Sequence, residues 1–320
     1  MIKMSTLFTL ILFSISSFSS FHLANAFANH HKNLTPQVMN FYNQSDIYLT
    51  ANEKLKLQKY HIIFVPGMLS GLGKLVFEKN FNQQKKFFNQ IMEDPLFSVI
   101  ADTNTATAIS VNLPYLKKLI DKSDHPVILW GHSKGGLECL ELLILYPELM
   151  KKVKGIITFQ APFHGSEAAD YISGRLILRT LMTTLFKSLG GSYQVMRDFE
   201  TAPRKEFLQL YRNEINELIS KIPFITLVGW LDQLEQQTYF LSWGGLFSGI
   251  IFPFGKIVRK QGEIENDYLV TRYSQRLGNA DYVEHDSVDH ISLVMSSGHN
   301  SVDKVKFSLA ILKVMLTKLP

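Results

Sequence analysis

The chain has 320 residues, 46% of them hydrophobic and 19% charged, with a formal net charge of +5, the make-up of an ordinary globular protein. Its basic residues are dispersed rather than striped, so nucleic acid is not an expected partner. A single cysteine, Cys139, excludes an internal disulfide, and stability must come from the core.

Lys3, the apolar run Leu7–Phe21 and the small-x-small triplet Ala24-Asn25-Ala26 predict a secretory signal peptide over residues 1–26, an uncleaved anchor being the alternative. The mature chain is then 27–320, which predicts a secreted or periplasmic protein of one large α/β domain with an insertion. Residues 27–54 are polar and read as a lead-in with a short edge strand at Ile47–Leu49. His61–Val65 is a β-branched and aromatic run broken by Pro66-Gly67, a buried strand meeting a turn. A helix within 73–94, a strand at Phe97–Ala101 and a helix around Leu113–Ile120 follow. Val127–Gly136, VILWGHSKGG, reads as strand, tight turn and helix, the helix ending near Pro147. Gly155–Phe159 is the next strand. This alternation predicts a mostly parallel sheet covered on both faces.

Residues 167–221 are too long for a simple crossover and predict an inserted helical cap. Within it Arg175–Leu189, with leucines at 176, 178, 181, 185 and 189, reads as a cover turned towards a cleft, a core helix being the alternative. Leu227–Trp230 resumes the sheet. Trp243–Gly255 reads either as a stretch that lines an acyl pocket or contacts a membrane or partner, or as a packed loop. Ser301–Leu319 reads as an amphipathic closing helix capped by Ser301. Cys139, inside the apolar helix after the turn, is expected to be a packing thiol.

Gly131-His132-Ser133-Lys134-Gly135 fits G-x-S-x-G, in which a strained turn pushes a serine hydroxyl outward and small residues let the crossing backbones approach. A serine needs a histidine to take its proton and an acid to orient that histidine. On the fold that carries this turn, the α/β-hydrolase fold, they follow in the order Ser, acid, His. His30, His31, His61 and His125 precede the turn, His132 is locked beside the serine, and His164 lies on a neighbouring loop. His290 is the preferred base, with His299 and then His285 behind it. Asp267, 23 residues before His290 and opening a strand-like Tyr268-Leu269-Val270 run, is the preferred acid, with Asp232 as the alternative. The main-chain N–H groups of Met68 and Lys134 are the expected oxyanion donors. The Lys134 ammonium is expected near the cleft mouth, where it would bear on anionic head groups.

VPGM at 65–68, GHSKGG at 131–136, APFHGSEAADY at 161–171, NDYLVTRYSQRLG at 266–278 and VDHISLV at 288–294 resemble the secreted bacterial lipases of the Pseudomonas and Burkholderia type, over about residues 59–295. The resemblance implies an α/β-hydrolase fold with a mobile helical lid, a Ser133, Asp267 and His290 triad, and long-chain acylglycerols as substrates. The chain departs from that pattern at Pro66-Gly67 where the family has His-Gly, at Lys134, and at Tyr268 where it has glycine. It also has Ser292 where the family has a calcium-binding aspartate, so the calcium site is expected to be absent or rebuilt, and no other cofactor is expected. The family's folding chaperone is not carried over.

The expected function is a serine hydrolase of acylglycerol esters acting on a lipid or acyl-ester substrate at a membrane or lipid–water interface. A phospholipase, a narrower carboxylesterase or thioesterase, and an inert acyl-binding protein are the alternatives.

Overall fold

The computed structural model describes residues 31–68, 70, 80–231, 265–295 and 302–320. The signal segment, Asp232, the 243–255 stretch, His299 and Ser301 lie outside them.

Six strands form one sheet in the order β2-β1-β3-β4-β5-β6, and every pairing is parallel. The strands are β1 (His61–Val65), β2 (Ser98–Ile100), β3 (Val127–His132), β4 (Val153–Phe159), β5 (Phe224–Gly229) and β6 (Asp281–His285). Because successive side chains leave opposite faces of a strand, each strand feeds two cores. Ile63, Val65 and Leu129 join one cluster, while Ile62, Phe64, Ile128 and Trp130 join the other.

Helices α1 (Thr35–Tyr42), α2 (Ala51–Leu57), α3 (Asn82–Ile91) and α11 (Lys304–Lys318) belong to the Trp130 side. Helices α4 (Ile109–Asp121) and α5 (Lys134–Leu145) bury their apolar residues on the other. Between β4 and β5, residues 167–221 contain α6 (Glu167–Ser173), α7 (Leu176–Ser188), α8 (Gln194–Arg197), α9 (Thr201–Leu210) and α10 (Arg212–Lys221). This helical region is tied to the rest by the buried Arg204, which pairs with Glu141 of α5, and by Asp198, whose Oδ2 accepts the Ile109 amide at 2.7 Å.

The structure departs from the sequence expectations at the two ends of the chain. No strand forms at Ile47–Leu49. The lead-in folds instead into α1 and α2, the latter with a Thr50/Glu53 capping box, and touches the sheet edge through Leu34 N–H to Tyr282 O at 2.8 Å. These two helices explain the second departure. α11 is not amphipathic: Phe307 to Leu316 are all buried, because α1, α2 and α3 cover the side that would otherwise face water. Lys313 survives there by reaching Glu53 at 2.6 Å and Tyr48 O at 2.9 Å. The cap of α11 is Asp303, whose carboxylate accepts the amides of Val305 and Lys306.

Candidate active site

Ser133 sits between β3 and α5 at φ 51°, ψ −118°, a backbone region costly for any residue but glycine and held only where the surroundings over-determine it. They do so by close packing. A Cβ on Gly131 would lie 2.5 Å from Gly135 O, and one on Gly135 would lie 2.0 Å from Val65 O, so the turn closes only with hydrogen at both positions.

Its hydroxyl Oγ lies 2.8 Å from His290 Nε2, and His290 Nδ1 lies 2.7 Å from Asp267 Oδ2. All three are buried, Ser133 keeping 7% of its surface, His290 5% and Asp267 none. Asp267 does not open a strand. After isolated bridges from Asn266 to Leu231 and Thr271 the chain turns, and Oδ1 accepts the amides of Leu269 (3.1 Å) and Val270 (2.8 Å). Oδ2 accepts Gln160 Nε2 (3.0 Å) and Gln275 Nε2 (3.2 Å) besides the histidine. A carboxylate with five donors around it is fixed in orientation. Tyr268, where the resembling family has glycine, takes φ 82° and is held in that left-handed conformation with its side chain fully buried.

The oxyanion candidates are on the two loops expected. Lys134 is the first residue of α5, where helical N–H groups have no partner within the helix, and Met68 lies on the turn after β1. Among the described residues neither main-chain N–H donates a hydrogen bond. Met68 is half-buried and packs against the core cluster of Ile63 and Leu129.

The expected placement of the Lys134 side chain is overturned. It is 1% exposed and points inward to Glu138, itself fully buried, at 2.7 Å. Burial holds the Glu138 carboxyl above the usual range, against the opposing pull of Lys134 and Asn112. The i,i+4 spacing puts Lys134 and Glu138 on one side of α5, but nothing in it marks that side as the buried one.

The other histidines part from the serine. His285, at the end of β6, turns its Nδ1 to Asp286 O and its ring to Phe307 at 5.2 Å. His164 packs on Tyr273, centroids 4.4 Å apart, beside a cavity of about 1550 Å³ lined by His164, Tyr273, Asp170 and Lys205 but by no member of the Ser133 cluster. His132 has a part that sequence reasoning missed. Its Nε2 lies 2.7 Å from His290 O and its Nδ1 2.8 Å from Asn80 Nδ2. Burial first, then the neighbouring His290, push its pKa down to about 3, so the ring is neutral, donating from Nε2 and accepting at Nδ1.

At the position where the family has a calcium-binding aspartate, the oxygens present hydrogen-bond to one another. Ser292 donates its hydroxyl to Asp289 Oδ1 at 2.6 Å, and that oxygen also accepts the Ile291 and Ser292 amides. No group of three or more His, Cys, Asp or Glu able to hold a metal forms among the described residues. Cys139 is buried and unbridged, with its thiol pKa raised by burial, as a packing thiol should be.

The six-stranded parallel sheet and its covering helices recur in solved structures. A metagenomic carboxyl esterase superimposes with a TM-score of 0.68 at 16% identity, covering 87% of this chain and 80% of its own. The chain has the α/β-hydrolase fold. The mature form of a Bacillus licheniformis lipase is similar over 81% of this chain and 92% of its own, with a TM-score of 0.57 and 23% identity. No family model and no curated protein matches the sequence. On this hydrolase fold the Ser133 turn occupies the strand-to-helix junction beside the sheet's centre, where the ends of β1, β3, β4 and β5 converge.

Proposed function

We propose that the protein is a serine hydrolase of carboxylic esters, with acylglycerols as its substrate class. The observation that carries this is the continuous hydrogen-bond line from Ser133 Oγ through His290 to Asp267 on a strained turn. Ser133 attacks the ester carbonyl as His290 Nε2 takes its proton. Asp267 stabilises the imidazolium, and the Met68 and Lys134 amides receive the charge on the carbonyl oxygen. His290 then returns the proton to the departing alcohol, leaving an acyl-enzyme. Water, deprotonated by the same nitrogen, releases the acid and restores the serine.

The preference for an acyl lipid rests on the cap. α7 presents Leu176, Ile177 and Leu181 to solvent at 80%, 76% and 62% exposure, while Phe186 on its inner side is fully buried. A helix apolar on both sides suits a cover that meets a lipid–water interface, and the near-complete burial of Ser133 requires something to move before a substrate enters. The two structural neighbours, a carboxyl esterase and a lipase, agree with this class. Export after removal of residues 1–26 completes the proposal, and the N-terminal sequence of the protein recovered outside the cytoplasm tests it.

A fluorophosphonate that labels the wild type and not Ser133→Ala is the deciding experiment. No labelling of folded protein returns the chain to the acyl-binding alternative. Hydrolysis rates on triacylglycerol, phospholipid, thioester and short-chain ester then separate the lipase from the phospholipase, thioesterase and esterase outcomes.

A further inference from the structure

Gln160 follows β4 directly, and its contact with Asp267 is one of two that its amide makes. Its backbone takes φ 50°, the left-handed region that side chains other than glycine rarely adopt, while its N–H continues the ladder to Leu227 O at 2.9 Å. The side chain is fully buried. Its Nε2 donates twice, to Asp267 Oδ2 at 3.0 Å and to the main-chain O of Asp289, the residue before His290, at 2.9 Å. Its Oε1 has no hydrogen-bond partner among the described residues. Turning the amide over would aim that oxygen at two acceptors, so the amide orientation follows from its neighbours. Room for it is left by Gly229, where a Cβ would lie 2.7 Å from Gln160 Nε2 and 2.5 Å from Val288 Cγ2.

A strained backbone, a buried amide and an orphan oxygen are each unfavourable, and a stable fold has cheaper ways to fill this space. What they achieve together is a link. One nitrogen joins the acid-bearing loop to the histidine-bearing loop, at the oxygen that also accepts from His290 Nδ1. Gln275 does not duplicate it. Its amide pairs on both sides with Gly229, N–H to Oε1 at 2.7 Å and Nε2 to O at 2.8 Å, and reaches Asp267 only at 3.2 Å.

Resting on the serine-hydrolase proposal, we infer that Gln160 is a positioning residue for this triad: its amide fixes the separation and angle between the Asp267 carboxylate and the His290 imidazole. The ionisable groups facing that contact are Asp267 and His290 themselves and, beyond His290, the neutral His132. Without the Gln160 donors Oδ2 carries more negative charge and the two loops are free to drift. His290 then holds its proton to higher pH and meets Ser133 less often in the productive geometry.

The test uses Gln160→Met, which keeps the volume and removes the amide, and Gln160→Glu, which keeps the shape but, protonated against the Asp267 carboxylate, has one proton for the two acceptors. Active sites are counted with a fluorophosphonate so that rates refer to folded, competent protein. The expected result is a loss of about tenfold or more in kcat per titrated site, with KM within about twofold, in Gln160→Met. In both variants the acid limb of the kcat/KM profile moves up, by about one pH unit in Gln160→Met, because Oδ2 loses all or part of the donation that Nε2 gave it and stabilises the imidazolium more. A merely structural glutamine would lower the melting temperature and the titrated fraction and leave kcat per site and the acid limb where they were; that result overturns the inference. If Gln160→Met yields no titratable protein, the limb in Gln160→Glu decides alone, and failure of both to fold assigns Gln160 to stability and overturns the inference too. A wild type that neither labels nor hydrolyses esters sinks the proposed function instead, independently of either variant.

Discussion

His132 Nε2 lies 2.7 Å from the main-chain O of His290, so the residue before the serine holds in place the residue that faces it. The ring can do this only while neutral, and its pKa is pushed down to about 3. A group whose folded pKa lies below its unfolded value near 6.5 contributes stability that is fully present above that value and lost as pH falls towards 3.

His132→Leu should therefore flatten the acid side of the stability curve. At neutral pH it leaves Asn80 and His290 O without their partner, at a cost of about 1–3 kcal/mol. Melting temperatures at pH 7 and pH 4 should show a lower value for the variant at pH 7 and a smaller drop between the two. Parallel drops would mean that His132 does not titrate on unfolding.

Asp267→Asn should keep the fold and lose turnover. The asparagine can present N–H instead of an acceptor to His290 Nδ1, favouring the wrong tautomer, with an expected loss in kcat of about 10⁴-fold. Side-by-side assay with Asp232→Asn checks the acid, and a larger loss in the Asp232 variant would reassign it.

Lys134 should matter to folding and not to the sign of the substrate's charge. Its ammonium is shut in with Glu138, and Lys134→Met strands a buried acid, costing about 3–5 kcal/mol if Glu138 stays ionised and less if it takes up a proton. Rates per titrated site on anionic and neutral esters should change in equal proportion. A selective change on the anionic ester would show that the side chain reaches the substrate.

Asp198, whose Oδ2 accepts the first amide of α4, has its pKa raised by burial to about 6 from 3.8. A folded pKa above the unfolded one contributes stability that is complete below the unfolded value and disappears as pH rises through 6, above which the ionised carboxylate costs about 2–3 kcal/mol. Asp198→Asn keeps an acceptor without the charge. Its melting temperature relative to wild type should improve between pH 4 and pH 8, and a constant difference would count against the burial argument.

The outer face of α7 is tested by Leu176→Ser, Ile177→Ser and Leu181→Ser combined. All three side chains are exposed, so the melting temperature should move little. Hydrolysis of emulsified acylglycerol should fall by about tenfold while hydrolysis of a dissolved short-chain ester holds. Equal losses on both would remove the interface from the proposal.

Local patterns carried the sequence expectations that agree with the structure. Val127–Trp130 running into Gly131 and Gly135 could only be a buried strand ending in a turn where a Cβ has no space, and the alternating apolar runs required a sheet covered on both faces. The order of Ser133, Asp267 and His290 along the chain came with that turn. What the tertiary structure decided was which distant groups meet. The sequence separation of 157 between Ser133 and His290 is closed to 2.8 Å by strand register and by the His132 and Gln160 contacts, none of which leaves a periodic trace in the sequence. The same holds for burial. Lys134 reads as a surface charge until Glu138 and Asn112 surround it, and the closing helix reads as half-exposed until α1 and α2 cover it. Periodicity reports which side of an element is apolar, whereas partnership between remote side chains depends on the packed geometry alone.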